Sequence, residues 1–101
     1  MPEKFTSITI DERVYRIVPD MRIVCEIEDE MGEGVAALSA RFLHRQWKVS
    51  ELVTLIHMML HVGGKTFDYR VLGNRMIEDG LEKYTHYALH FLNLILNGSK
   101  K

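Results

Sequence analysis

Cysteine occurs once among the 101 residues, at Cys25. An internal disulfide is therefore excluded, and a reduced, intracellular protein is the default expectation. No apolar run approaches the roughly 20 residues needed to span a bilayer. The best one, from Phe91 to Leu96, is interrupted by Asn93. The first residues carry no basic-then-apolar signal stretch, so secretion is not expected and a cytoplasmic location is. Neither sign of charge dominates. With 13 Lys+Arg against 14 Asp+Glu the net charge is −1. That balance offers no basic field to a nucleic acid, and Arg41, Arg45 and Lys48 make only a small basic cluster. No membrane or nucleic-acid partner is expected.

What the chain does have is 47% hydrophobic residues, enough for one modest core without staples. The patterning predicts an α+β fold, an N-terminal two-stranded hairpin packed on about five short helices, in a single domain over 1–101. β-Branched Phe5-Thr-Ser-Ile-Thr-Ile10 and Val14-Tyr-Arg-Ile-Val18 read as strands of a hairpin over about 5–18, turning at Asp11-Glu12-Arg13 and closed by Pro19. Two strands alone are marginal in water and must lie on something. Apolar periodicity then predicts helices over about 20–31, 35–44, 50–62, 68–79 and 81–97. Asp20 and Ser50 are the expected N-caps, and Gly32, Gly63-Gly64, Gly80 and Gly98 the stops, with a basic tail beyond. Inward positions are Ile23, Ile27 and Met31, with Val24 beside them; Val35, Leu38 and Phe42; Leu52, Leu55, Ile56 and Met59. In the last two helices they are Val71, Leu72, Met76 and Ile77, then Leu81, Tyr84, Ala88, Phe91, Leu92 and Ile95.

Few residues are spaced for chemistry. His57/His61 and His86/His90 stand i, i+4 on their helices, a spacing that can chelate one metal. Both pairs fall opposite the apolar stripes, so solvated surface histidines are the expected reading and a four-imidazole metal site the remote alternative. Met58 follows His57 where a zinc protease needs Glu. Cys25 lies among Glu26, Glu28 and Asp29, which disfavour a thiolate, so a structural role is expected. Gly63-Gly64-Lys65-Thr66 resembles the end of a phosphate loop, but Met59 stands where the first glycine belongs and the preceding segment is helical. No nucleophile, base and anion stabiliser assemble, so no enzyme and no cofactor are expected.

Large apolar residues outside the stripes are the more informative feature: Trp47, Met58, Phe67, Tyr69, Tyr87, Leu89 and Leu94. Either the last helix is central to the fold or part of it is a partner or self-association surface. The outer face of the first helix is acidic, which reads as a solvated face or as a docking patch. The candidate partner-binding residues are Trp47, Tyr87 and Leu94, with Glu26 and Glu30 on the acidic helix.

Taken whole, residues 6–98 resemble the small tail proteins of gene transfer agents and related prophages, a family described as tail-tube-like or tail-assembly-chaperone-like. The stretches that carry the resemblance are the two-strand opening, Ile27-Glu28-Asp-Glu-Met-Gly32, and Val49-Ser-Glu-Leu-Val-Thr-Leu-Ile-His-Met-Met-Leu-His-Val-Gly-Gly64. Met76-Ile-Glu-Asp-Gly-Leu81 and Ala88-Leu-His-Phe-Leu-Asn-Leu-Ile-Leu-Asn-Gly98 complete it. The polar turn departs from the Asp-Gly type more usual in that family, and histidine and methionine are more abundant. The resemblance implies no catalytic residues. It implies a tail assembly chaperone that binds the tape-measure or tail-tube protein, with a structural component of the particle as the alternative and a homo-oligomer compatible with either.

Overall fold

Alternating β-branched residues begin the chain as a ribbon. The computed structural model describes residues 4–98, so the first three residues and the basic tail lie outside it. Strands β1 (Thr6–Ile10) and β2 (Arg13–Ile17) pair antiparallel, with Ile8 opposite Tyr15 and Thr6 opposite Ile17. Thr6, Ile8, Ile10 and Ile17 point inward and are buried, while Ser7, Thr9, Val14 and Arg16 face out. The turn is shorter than expected. Asp11 and Glu12 make it alone, and Arg13 already belongs to β2. Both turn residues adopt left-handed backbone, with φ of 54° and 63°. That is the geometry by which a two-residue loop matches the twist of its strands.

Five helices follow. The Asp20 carboxylate accepts the Ile23 N–H at 3.0 Å and starts α1 (Met21–Met31). Gly34 has no side chain to cap α2 (Val35–Leu43), so Glu28 of α1 reaches across and accepts the Val35 N–H at 2.9 Å. Helix α3 (Val49–Val62) corrects an expectation: Ser50 is not its cap. Glu51 reaches back to accept the Lys48 N–H at 2.9 Å, which closes the end earlier and makes Val49 helical. Asp68 accepts the N–H groups of Arg70 and Val71 at the start of α4 (Tyr69–Asp79). Gly80 then separates α4 from α5 (Leu81–Asn97).

The double glycine ending α3 has two separate reasons. A Cβ on Gly63 would sit 3.3 Å from the Arg16 carbonyl oxygen and from Ile17 Cγ1, because β2 lies directly on the helix end. Gly64 has φ of +96°, which a side chain would strain.

Helix α3 is the axis of the core. Leu52, Val53, Leu55, Ile56, Met59 and Leu60 are all buried, and it packs against α1, α4, α5 and β2. Helix α5 is nearly as central, touching β1, α2, α3 and α4. Between them they absorb much of the apolar surplus: Trp47, Met58, Phe67, Tyr87 and Leu89 are half-buried against the core. Val71 and Ile77 go the other way. They were expected inward but are exposed, because α4 meets the core only along Leu72 and Met76.

Candidate functional site

The α2–α3 corner is built from charge. Arg41, half-buried on α2, hydrogen-bonds Glu33 and Glu51 with its guanidinium and donates to the Gln46 carbonyl at 2.6 Å. Arg41 and the Lys48 amide hold the Glu51 carboxyl below its ordinary range. Next to it, Arg45 adopts left-handed φ of 59° and pairs bidentately with Glu82 at the start of α5, at 2.6 and 3.0 Å. That pairing lowers the Glu82 pKa and raises that of Arg45. The expected small basic cluster is thus partly spent on internal carboxylates.

This corner places Trp47. Its ring stacks on Phe42 at 6.0 Å between centroids and 13° between planes, and its buried Nε1–H has no acceptor among the described residues. Trp47 and Phe42 floor a depression of about 190 Å³ that also takes in Leu43, Arg45, Glu82, Thr85, His86 and Leu89. A second depression of about 280 Å³ lies further along the same seam, between Ser39, Leu43, Leu89, His90 and Asn93. Leu43 lines both and is 65% exposed. The α2–α5 seam is therefore an apolar ridge with a hollow on each side and a polar rim of Ser39, His86, His90 and Asn93. Both hollows fall below the size usual for a small-molecule site.

The other expected partner residues are dispersed. Tyr87 is half-buried, and its hydroxyl accepts the Thr9 N–H at the edge of β1 at 3.3 Å. Leu94 is half-buried in a hollow with Lys4, Val18, Pro19 and Gly98. Glu26 and Glu30 are exposed on α1. Trp47 therefore lies on the seam, and Tyr87, Leu94, Glu26 and Glu30 lie elsewhere. Leu43 was missed, although the helical wheel places it off the Val35–Leu38–Phe42 stripe by the same criterion that picked Leu89. Val14, Val18 and Met21, exposed at 62%, 55% and 71%, were missed as well. Strand parity was the available signal for Val14, since Tyr15 and Ile17 face inward.

The histidine pairs do not come together. His57 is half-buried rather than solvated, because the α3–α4 loop folds over it and its Nε2 hydrogen-bonds the Phe67 carbonyl at 2.7 Å. His61 pairs with Thr66 at 2.9 Å in the same loop. On α5, His90 shares a 2.8 Å hydrogen bond with the buried Thr6 hydroxyl, and His86 approaches Glu82 at 3.8 Å. Among the described residues no group of three or more His, Cys, Asp or Glu is placed to hold a metal ion. Cys25, expected in a structural role, is exposed on α1. An open cleft of about 540 Å³ at the hairpin turn is lined by Glu12 and by two engaged pairs, Asp11 with Arg75 and Asp79 with Lys83. No helix among the described residues is long and apolar enough to cross a membrane.

Residues 5–98 match the family described as phage tail tube protein, GTA-gp10. No curated protein and no solved structure matches the chain.

Proposed function

The chain belongs to the phage tail tube protein, GTA-gp10, family, and on that premise we propose that it acts as a non-enzymatic chaperone of the tape-measure or tail-tube protein. A part in the structure or assembly of a phage-type tail follows from the family itself. The finer reading rests on one observation, the exposed Leu43 ridge between two hollows. Burying such a side chain is worth about 1.5–3 kcal/mol, a gain the isolated chain leaves largely unused. An amphipathic helix fits the seam, with aliphatic side chains in the hollows and backbone or polar groups against the rim. Each hollow suits one or two side chains rather than a substrate. Four of the five charged groups lining the turn cleft are engaged with one another, which supports a protein that binds rather than transforms its client.

Co-expression with the tape-measure protein of the same gene cluster is the test. A soluble complex is expected, and Leu43→Glu is expected to abolish it. No co-purification and no change in client solubility would overturn the chaperone reading. The family's own description, a tube protein, favours a second reading in which the chain is a component of the particle. Stoichiometric recovery from purified particles would decide for that one.

A further inference from the structure

A two-stranded sheet has two outer edges, and in this hairpin they fare differently. The two-residue turn makes Ile10 and Arg13 a hydrogen-bonded pair, and Ile8 with Tyr15 and Thr6 with Ile17 follow in the same phase. The residues between them turn their N–H and C=O groups away from the ladder: Ser7 and Thr9 on β1, Val14 and Arg16 on β2. The β1 edge lies against α5, where the Tyr87 hydroxyl accepts the Thr9 N–H. The β2 edge has no such cover. Gly63 closes in on the Arg16 carbonyl, but the Arg16 N–H and both backbone groups of Val14 have no hydrogen-bond partner among the described residues.

Cations flank this edge on both faces of the ribbon. On the outer face Arg16 stands between Val14 and Val18, both more than half exposed. Its guanidinium rests over the Phe5 ring at 5.0 Å, a contact that leaves the charge in place. On the inner face Arg13 is exposed and Tyr15 half-buried. Phe67 meets Tyr15 edge to face at 6.2 Å, and Lys65 lies over Phe67 at 5.5 Å, which brings another cation to that side. None of Arg13, Arg16 and Lys65 has a carboxylate within ion-pair distance among the described residues. Asp11 is taken by Arg75, which leaves Glu12 as the unengaged acid of the turn.

These charges select what the edge can take. An open edge strand is a template for any extended chain that its side chains do not repel. A second copy pairing through β2 would crowd both copies' Arg13 and Arg16 into one short contact, which like charges oppose. An acidic chain would meet the opposite sign on either face. We propose that the β2 edge takes up an extended, acidic segment of another protein as a third strand, its backbone pairing with Val14 and Arg16 and its carboxylates meeting Arg16 on one face and Arg13 and Lys65 on the other. Main-chain hydrogen bonds supply the attachment and the charges supply the choice of partner. The proposal goes beyond the chaperone reading and uses neither Leu43 nor the α2–α5 seam, so either can fail alone.

Amide NMR of the full-length chain tests it, with the short capped peptide Thr-Glu-Val-Glu-Glu-Val-Thr as probe. At about 0.05 M salt the Val14 and Arg16 amide signals are expected to shift and their hydrogen exchange to slow by about tenfold, and both effects to fade at about 0.5 M salt. The same peptide with lysine for each glutamate, or with proline at its centre, is expected to do neither. Val14→Pro removes one outward N–H and leaves the ladder bonds in place, so it is expected to keep the wild-type circular dichroism and lose the response. Arg16→Glu, at an exposed position, is expected to weaken binding by about tenfold or more, and it decides the matter if the proline variant does not fold. No response to the acidic peptide, an equal response to the lysine or proline peptide, or shifts at Leu43 in place of β2 would overturn the proposal.

Discussion

Glu12 holds a conformation that its side chain resists. At φ of 63° it occupies the second position of a two-residue turn that ordinarily selects glycine. Left-handed backbone costs a non-glycine residue about 1 kcal/mol. Glu12→Gly is therefore expected to raise stability by about 0.5–1 kcal/mol, read as a higher urea midpoint at unchanged slope. Glu51 carries the opposite kind of information. Its carboxyl titrates below the ordinary value of 4.5 because Arg41 and the Lys48 amide bind the charged form. A depressed folded pKa contributes stability that is present above the unfolded value and is lost as pH falls through the folded one. Stability should thus hold from neutral pH down to about pH 5 and then drop. In Glu51→Gln the drop is expected to be shallower, with a lower plateau at neutral pH, as followed by thermal unfolding across pH.

Among the elements, Gly63 and Gly73 predict opposite outcomes. Gly73 lies inside α4, where a Cβ would rest 3.6 Å from Val53 Cγ1, an ordinary contact. Gly73→Ala is expected to stabilise by about 0.5–1 kcal/mol through helix propensity. At Gly63 the Cβ would press on β2 at 3.3 Å, so Gly63→Ala is expected to destabilise by about 1 kcal/mol or more. Equilibrium denaturation of both variants checks the pair. Most element ends were legible because the cap was adjacent in sequence, as with Asp20, Gly32 and Gly80. The start of α3 was not, since its capping group is a carboxylate three residues downstream and Ser50 offered a nearer candidate. Val71 and Ile77 misled for another reason. Apolar character says that a residue gains by burial, but not which face of a short helix finds a neighbour.

For the molecule as a whole, the fold class was written in the sequence, while the surface was legible only in part. The off-stripe residues did exceed what one helix face could hide. Most of the excess, however, went under half-cover against the core, and the large apolar groups more than half exposed proved to be Leu43, Val14, Val18, Met21, Val71 and Ile77. Only packing decides that distribution, because it depends on which helices become central. Leu43 makes the clearest global prediction. Leu43→Glu is expected to change folding stability by no more than about 0.5 kcal/mol while removing the client complex, a separation of effects that a buried leucine could not give. The bonds from Thr6 to His90 and from Thr9 to Tyr87 join positions 84 and 78 residues apart. A ribosome therefore makes the first strand long before the helix that seats it. Until residues near 90 emerge, the hairpin rests on α3 alone, and a chain halted at Gly80 should give no cooperative melt. The arrival of α5, rather than gradual growth, is what commits these residues to their native state.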